Sequence, residues 1–96
     1  MKPSEALAAH REEVLAILAR YPVANPRIFG SVARGEDKEG SDIDIVVDAL
    51  DGCSYTHFFR IEDAMKSLLR VEVDLHTMPE FGLRMRSRVE KDLRPL

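Results

Sequence analysis

Three aspartates in two apolar segments are the residues of this chain whose types and spacing are best suited to chemistry. Asp42 and Asp44 stand two apart in SDIDIVVD (41–48), and Asp74 lies in VEVDLHT (71–77). Because a β-strand points successive side chains to opposite faces, Asp42 and Asp44 leave the same face, and the isoleucines beside them leave the other. If the two strands are neighbours, Asp74 joins the pair.

A cluster of three carboxylates is unfavourable unless a positive charge lies within it. Two unit charges about 4 Å apart repel by roughly 4 kcal/mol at an effective dielectric constant near 20, and a third charge adds to this repulsion. Carboxylate oxygens without thiolate or imidazole ligands suit a hard cation that keeps part of its water shell and binds phosphate oxygens. This description fits Mg²⁺ better than Zn²⁺, so the acids predict a magnesium and phosphate site.

A small polar turn precedes the acid pair and is suited to phosphate. Gly30 allows a phosphate to approach the backbone closely, and the Ser31 hydroxyl and the amides after it can hold phosphate oxygens. Arg34, one helical turn later, can add positive charge. Two structural interpretations stay open beside these: Ser31 as the N-cap of a short helix, and Arg34 in a surface ion pair with Glu36 or Asp37.

Hydrophobic periodicity predicts the elements that must position these residues. Helices are predicted at residues 4–20, 31–34, 54–69 and 80–92, and strands at 27–29, 43–48 and 71–77. The order is α-β-α-β-α-β-α. Connections that run through helices allow neighbouring strands to be parallel or mixed. The sequence therefore predicts an α/β or α+β fold, with a small mixed β-sheet and helices packed on one face.

Length and composition limit the number of domains, the possible partners and the location of the protein. Ninety-six residues make one domain, residues 1–96, and a formal charge of −3 gives no general attraction to nucleic acid or an anionic membrane. The lone Cys53 cannot form an internal disulfide, and neither a signal peptide nor a membrane-length apolar segment is evident. We therefore expect a soluble cytoplasmic protein with no membrane partner. The basic last helix is either a solvated face or a docking surface.

The polar turn and the acid pair together form a longer pattern. Residues 30–47 read GSVARGEDKEGSDIDIVV, which meets GSxARGxxxxxSDxDxxV at every position, and the later strand supplies one more aspartate at Asp74. This combination resembles the signature of the DNA polymerase β-like nucleotidyltransferase superfamily. The resemblance is closest to its minimal nucleotidyltransferase (MNT) branch and implies the nucleotidyltransferase fold.

The resemblance also implies an activity, a partner and roles for the site residues. MNT proteins are commonly antitoxins of HEPN-domain ribonuclease toxins and transfer AMP from ATP to a toxin tyrosine, so a hetero-oligomer is expected. By this resemblance Asp42, Asp44 and Asp74 are the catalytic residues and would hold two Mg²⁺ ions. The nucleotide would be bound by four residues: Gly30, Ser31, Arg34 and Ser41.

Two other functions remain open at this stage. The chain could neutralise its partner by occlusion, with an idle nucleotide site, although an idle site has no need to keep three mutually repelling acids. It could also nucleotidylate a small hydroxylated molecule such as an aminoglycoside. The triphosphate pattern does not identify the base of the nucleotide, so ATP rests on the resemblance alone.

Overall fold

The computed structural model describes residues 1–96, which form a four-stranded mixed β-sheet with helices packed against it. The helices are α1 (Pro3–Ala9), α2 (Arg11–Leu18), α3 (Ser31–Arg34), α4 (Tyr55–Leu69) and α5 (Leu83–Asp92), with a 3₁₀ helix at Met78–Glu80. The strands are β1 (Val23–Phe29), β2 (Ile43–Ala49), β3 (Val73–His76) and β4 (Arg94–Pro95). No helix combines the length and the apolar character that crossing a membrane requires.

The strand order is β3-β2-β1-β4, with β2 parallel to β3 and antiparallel to β1. The parallel pair is joined through α4, because parallel strands need a long crossover connection. Strand β1 runs antiparallel to β2 and is followed directly by the turn that opens α3. This topology brings the end of β1 and the starts of β2 and β3 to the same end of the sheet.

The main hydrophobic core lies between one face of the sheet and helices α1, α2 and α4. Alternate residues of β2 and β3, such as Ile43, Ile45 and Val73, are fully buried there. They pack with helix residues such as Ile61 and Met65, which recur at helical spacing. Because a one-residue slip of either strand would expose this apolar set, the core fixes which side chains reach the opposite face.

A smaller cluster lies on that opposite face. Phe29, Val46 and Val89 are buried together, with Met78 and Phe81 packed against them. Val46 lies between two core residues of β2, so strand alternation points it away from the main core. Helix α5 and the 3₁₀ helix therefore cover part of the face from which the aspartates project.

The predicted fold class and the order of the predicted elements are confirmed, while helices lie on both faces of the sheet rather than on one, and several boundaries differ. The first helix is divided at His10, whose backbone leaves the helical region (φ −119°, ψ 22°). Apolar residues of both halves pack on the same core, so periodicity does not reveal the break. Strand β1 begins at Val23 rather than at residue 27, because an irregularity between Ala24 and Arg27 allows pairing to continue past Pro26.

The second half of the chain also differs from its prediction in detail. Strand β3 covers Val73–His76 rather than residues 71–77, and α5 begins at Leu83 rather than at residue 80. The residues between them form the 3₁₀ helix. Strand β4 was not predicted, since its two residues are held as a strand only by pairing with β1.

Candidate functional site

Asp44 and Asp74 are paired in register on the parallel strands β2 and β3. Their neighbours Ile43 and Val73 are a buried pair on the core side of the sheet, so both aspartates project from the other face. Both are half-buried. The core therefore places two carboxylates side by side on adjoining strands.

Asp42 lies directly before β2, two residues from Asp44, and is exposed. The carboxylates of Asp42 and Asp74 have no hydrogen-bond or ion-pair partner within the chain, whereas Asp44 contacts His76. The structure thus brings the three predicted acids to one end of the sheet. Two of them have carboxylates that are free to bind another group.

The glycine of the polar turn lies against the acid pair. Gly30 has φ +78°, and a Cβ built on it would lie 3.1 Å from Asp44 Oδ2. Because L-residues rarely adopt this φ, and because the space is already taken, the position requires glycine. The turn that follows β1 is therefore adjacent to Asp44, on the side of the acid away from β3.

Ser31 is the first residue of the four-residue helix α3, and Gly30 occupies the N-cap position. The capping interpretation of Ser31 is therefore wrong, because its side chain makes no cap hydrogen bond. The predicted end of this helix at Gly35 is confirmed, with φ +72°. Ser31 follows Gly30 directly, so its half-buried side chain starts from the same turn that abuts Asp44.

His76 forms a charged contact beside the acids. Its Nε2 lies 3.4 Å from Asp44 Oδ1, and its Nδ1 lies 3.0 Å from Glu80 Oε2. The hydrogen bond with Asp44, followed by the bond with Glu80, raises the pKa of His76 to about 9 although burial opposes this shift. A protonated His76 therefore partly neutralises Asp44. The ring centroids of Phe29 and Phe81 each lie 5.4 Å from the centroid of the imidazole ring, so both aromatic rings pack against His76.

Arg34 and Ser41 are bound to other parts of the chain. Arg34 Nη1 donates to Asp92 Oδ2 at 2.6 Å, and its Nε donates to Glu36 Oε1 at 3.1 Å, so the ion pair expected with Glu36 is present. Ser41 Oγ accepts a hydrogen bond from the Lys38 amide at 3.0 Å and so closes the turn that leads into β2. The structure does not bring the Ser41 hydroxyl into contact with the acids.

The donor chemistry of the three aspartates fits a hard cation. No three His, Cys, Asp or Glu side chains lie close enough together to form a metal-binding group in this structure. Asp42, Asp44 and Asp74 nevertheless offer only oxygen donors at one end of the sheet. This is the ligand chemistry that Mg²⁺ prefers.

His76, Glu80 and Asp92 contact residues of the site but are not among the site residues predicted from the sequence. The spacing of His76 two residues after Asp74 was the available signal, because it places both on one face of β3. Glu80 and Asp92 have no comparable signal. Their partners, His76 and Arg34, lie on other elements and meet them only in the folded chain.

Comparison with known protein sequences identifies the family of this chain. The nucleotidyltransferase domain family matches residues 10–96. A candidate protein adenylyltransferase of Methanocaldococcus jannaschii, MJ1215, is 44% identical over 73 residues, which cover 76% of this chain and 81% of that protein. The protein adenylyltransferase MntA of Thermococcus cleftensis is 41% identical over 69 residues, covering 72% of this chain and 67% of the relative.

Solved structures agree with the sequence comparison. The structure of a candidate minimal nucleotidyltransferase superposes with a TM-score of 0.84 at 39% identity, covering 97% of this chain and 95% of the other. A complex of a tri-AMPylated HEPN toxin with an MNT antitoxin from Shewanella oneidensis matches over 92% of this chain and 69% of the other. Its TM-score is 0.67 at 19% identity, so it supports the fold alone. This chain belongs to the nucleotidyltransferase domain family, and within that family it is a minimal nucleotidyltransferase.

Proposed function

We propose that this chain is a Mg²⁺-dependent protein adenylyltransferase that transfers AMP from ATP to a tyrosine hydroxyl of a HEPN-domain toxin and so acts as its antitoxin. One observation carries the proposal. The Gly30 turn, which suits a phosphate, lies against Asp44 on one side, while Asp74 stands in register with Asp44 on the other. A triphosphate turn and an acid cluster are the two parts that nucleotidyl transfer needs side by side.

The residues divide the chemistry between them. Gly30 permits close approach of the triphosphate, and Ser31 with the amides of its turn would hold the terminal phosphates. Asp42, Asp44 and Asp74 would hold Mg²⁺, which supplies charge neutralisation of the phosphates and activation of the acceptor hydroxyl. Arg34 would add positive charge to the phosphates. Ser41 would act indirectly, through the turn that it closes before Asp42.

Asp74 would accept the proton of the attacking hydroxyl, since no group of the chain occupies its carboxylate. The hydroxyl oxygen forms a bond to the α-phosphorus of ATP as the bond from that phosphorus to the bridging oxygen breaks. Pyrophosphate leaves with those electrons. Attacking and leaving oxygens lie roughly in line. The product is an AMP ester of the acceptor.

The identity of the nucleotide and of the acceptor is supported by the relatives. Two proteins that share about two fifths of their aligned residues with this chain carry adenylyltransferase in their names. The Shewanella oneidensis MNT antitoxin was solved in complex with a HEPN toxin that carries AMP groups. A HEPN-domain partner and AMP transfer therefore form one consistent proposal.

The test is direct transfer by the unmodified chain. The chain is incubated with ATP, with and without Mg²⁺, and with a HEPN-domain protein encoded next to it in the genome. Mass spectrometry should show AMP on a tyrosine of that partner, only when Mg²⁺ is present, together with loss of its ribonuclease activity. Loss of ribonuclease activity without added AMP would instead support neutralisation by occlusion. An aminoglycoside as acceptor tests the small-molecule alternative.

A further inference from the structure

An apolar groove of about 570 Å³ lies along the edge of the sheet, between β3 and the first turns of α4. Its volume falls within the range of sites that hold a side chain or a small ligand. Four large apolar residues contribute to its wall: Tyr55, Phe58, Phe59 and Leu75. It is separate from the Gly30 turn, which lies across the sheet beside β1.

Two aromatic side chains of the groove are exposed without a partner in this chain. Tyr55 is 84% exposed and Phe59 is 62% exposed. Both lie in the first turns of α4, whose inward residues, such as Ile61 and Met65, are fully buried. The main core therefore does not require these two rings. Exposed aromatic residues grouped around a groove are typical of a surface that binds another molecule.

The groove is connected to the acid cluster through Glu80 and His76. Glu80 lines the groove and accepts a hydrogen bond from His76, whose other ring nitrogen contacts Asp44. Thr77, which follows His76 directly, also lines the groove. Leu75 faces the core side of β3 and the aspartates face the other, so a molecule held in the groove would approach the aspartates around the edge strand, past Glu80 and His76.

The sheet order decides which reactant that molecule is. Asp44 lies on β2, with the Gly30 turn on the β1 side and the groove beyond β3 on the other. In an in-line transfer the attacking and leaving oxygens lie on opposite sides of the phosphorus. Pyrophosphate leaves toward the turn that holds the phosphates. The attacking hydroxyl must therefore arrive from the β3 side, where the groove lies.

The charge of the groove also favours the acceptor over the nucleotide. Its only charged lining residues are Glu62 and Glu80, and no lysine or arginine lines it, so it disfavours a triphosphate. We infer that the groove is the docking site of the acceptor protein, which places there an apolar segment with a positive charge near its reactive hydroxyl. This inference rests on the proposed function and specifies how its acceptor is recognised.

The test removes the two exposed rings and leaves the acids intact. The variant carries Tyr55→Ser and Phe59→Ser, and the control is Leu83→Ser, which changes an apolar residue that is 87% exposed and lies outside the groove. The acceptor is the neighbouring HEPN-domain protein. Measurements are kcat and KM for AMP transfer to it, the shift of Tm on adding Mg²⁺ with ATP, and sedimentation of the chain alone.

We expect the KM for the acceptor to rise at least about tenfold in the double variant, because interface aromatics commonly carry much of the binding energy. Because the removed contact is made equally before and during reaction, kcat should stay within about twofold. The control should match the unmodified chain, and all three should show the same Tm shift with Mg²⁺ and ATP.

Four results would overturn the assignment. An unchanged KM in the double variant, or an equal rise in the control, would show that the groove does not bind the acceptor. Loss of the Tm shift would place the nucleotide there instead. A change in sedimentation would place a second copy of this chain there. Absence of AMP transfer by the unmodified chain would overturn the proposed function, and this assignment with it.

Discussion

Gly30 and Asp44 approach so closely that a Cβ on the glycine would lie 3.1 Å from the aspartate Oδ2. The positive φ of Gly30 favours glycine, and the absence of a side chain there lets the turn lie against the acid. The contact defines one wall of the site and leads to the first prediction.

Gly30→Ala should abolish most AMP transfer and also lower stability. Its φ of +78° with ψ −155° belongs to a backbone region essentially restricted to glycine and costs an L-residue about 1–3 kcal/mol, and the Asp44 carboxylate must shift by a few tenths of an ångström to admit the methyl group. Gly52→Ala is the matched control, because Gly52 has φ +85° with nothing within 4 Å of its Cβ position. Thermal unfolding should show a loss of stability for both variants, larger for Gly30→Ala because of the contact with Asp44, and only Gly30→Ala should lose AMP transfer. Equal activity of the two variants would contradict a role for this contact.

Asp42→Ala with Asp44→Ala should reduce AMP transfer by about a thousandfold or more, since the phosphates would lose the ions that neutralise them. Binding of the HEPN-domain partner should persist. Labelled ATP measures AMP transfer, and co-purification measures binding of the partner. Asp48→Asn is the control, because Asp48 lies on the same strand and is exposed in an ion pair with Arg27. Full ribonuclease inhibition by the double variant would favour occlusion.

Mg²⁺ with ATP, at one hundred times its Kd, should raise Tm by roughly 10–20 °C. A ligand that binds only the folded chain contributes about 2.7 kcal/mol at one hundred times its Kd, and in a domain of this size each kcal/mol shifts Tm by roughly 4–8 °C. Mg²⁺ alone should have a smaller effect, and the double aspartate variant should respond to neither. Differential scanning fluorimetry gives the comparison. An equal response from the double variant would place the nucleotide elsewhere.

Arg34→Gln should raise the KM for ATP severalfold, whereas Asp92→Asn should not. The Asp92 carboxylate holds the Arg34 guanidinium at 2.6 Å, and its neutralisation leaves the arginine charge available to phosphates. Both substitutions weaken the same surface ion pair, so each should change stability only slightly. Steady-state kinetics with varied ATP distinguishes a role of Arg34 in binding the triphosphate from a role in the ion pair with Asp92. Identical KM values in both variants would assign Arg34 to structure alone.

Asp37→Ala should destabilise the chain by about 1 kcal/mol, because the buried Asp37 accepts a hydrogen bond from the Ser4 amide at the start of α1. Burial alone would raise the pKa of Asp37, but hydrogen bonds from Ser4 outweigh it and lower the pKa below 3.8. The contribution to stability is therefore present above about pH 4 and is lost as pH falls through the lower folded-state pKa.

Urea unfolding of the unmodified chain and of Asp37→Ala should accordingly differ near neutral pH and converge in strong acid. Glu39→Ala is the control from the same loop, since Glu39 is exposed and its loss should change stability by less than about 0.5 kcal/mol. A constant difference between the first two proteins down to the lowest pH would show that the charge of Asp37 has no part in the effect.

Several features of the fold and site follow from short segments of sequence. The period of two in a strand predicted that Ile43 and Ile45 would leave the face opposite to Asp44, and the structure agrees. The start of α4 was predicted at residue 54, where the Ser54 side chain accepts from the His57 amide. Gly35 was recognised as the end of α3. These predictions succeed because strand alternation, caps and left-handed turns depend on residues within a few positions of one another.

Other features depend on residues that are distant in sequence. The His76–Asp44 contact joins residues that are 32 positions apart, and the Arg34–Asp92 ion pair joins residues that are 58 positions apart. No local sequence pattern indicates either contact. The groove beside β3 exists because β3 is the edge strand, which the order of elements along the chain does not specify. Local patterns thus determined the residue types and the faces they occupy. Long-range packing of the core decided which faces meet, because strand neighbours are selected by total burial rather than by any single segment.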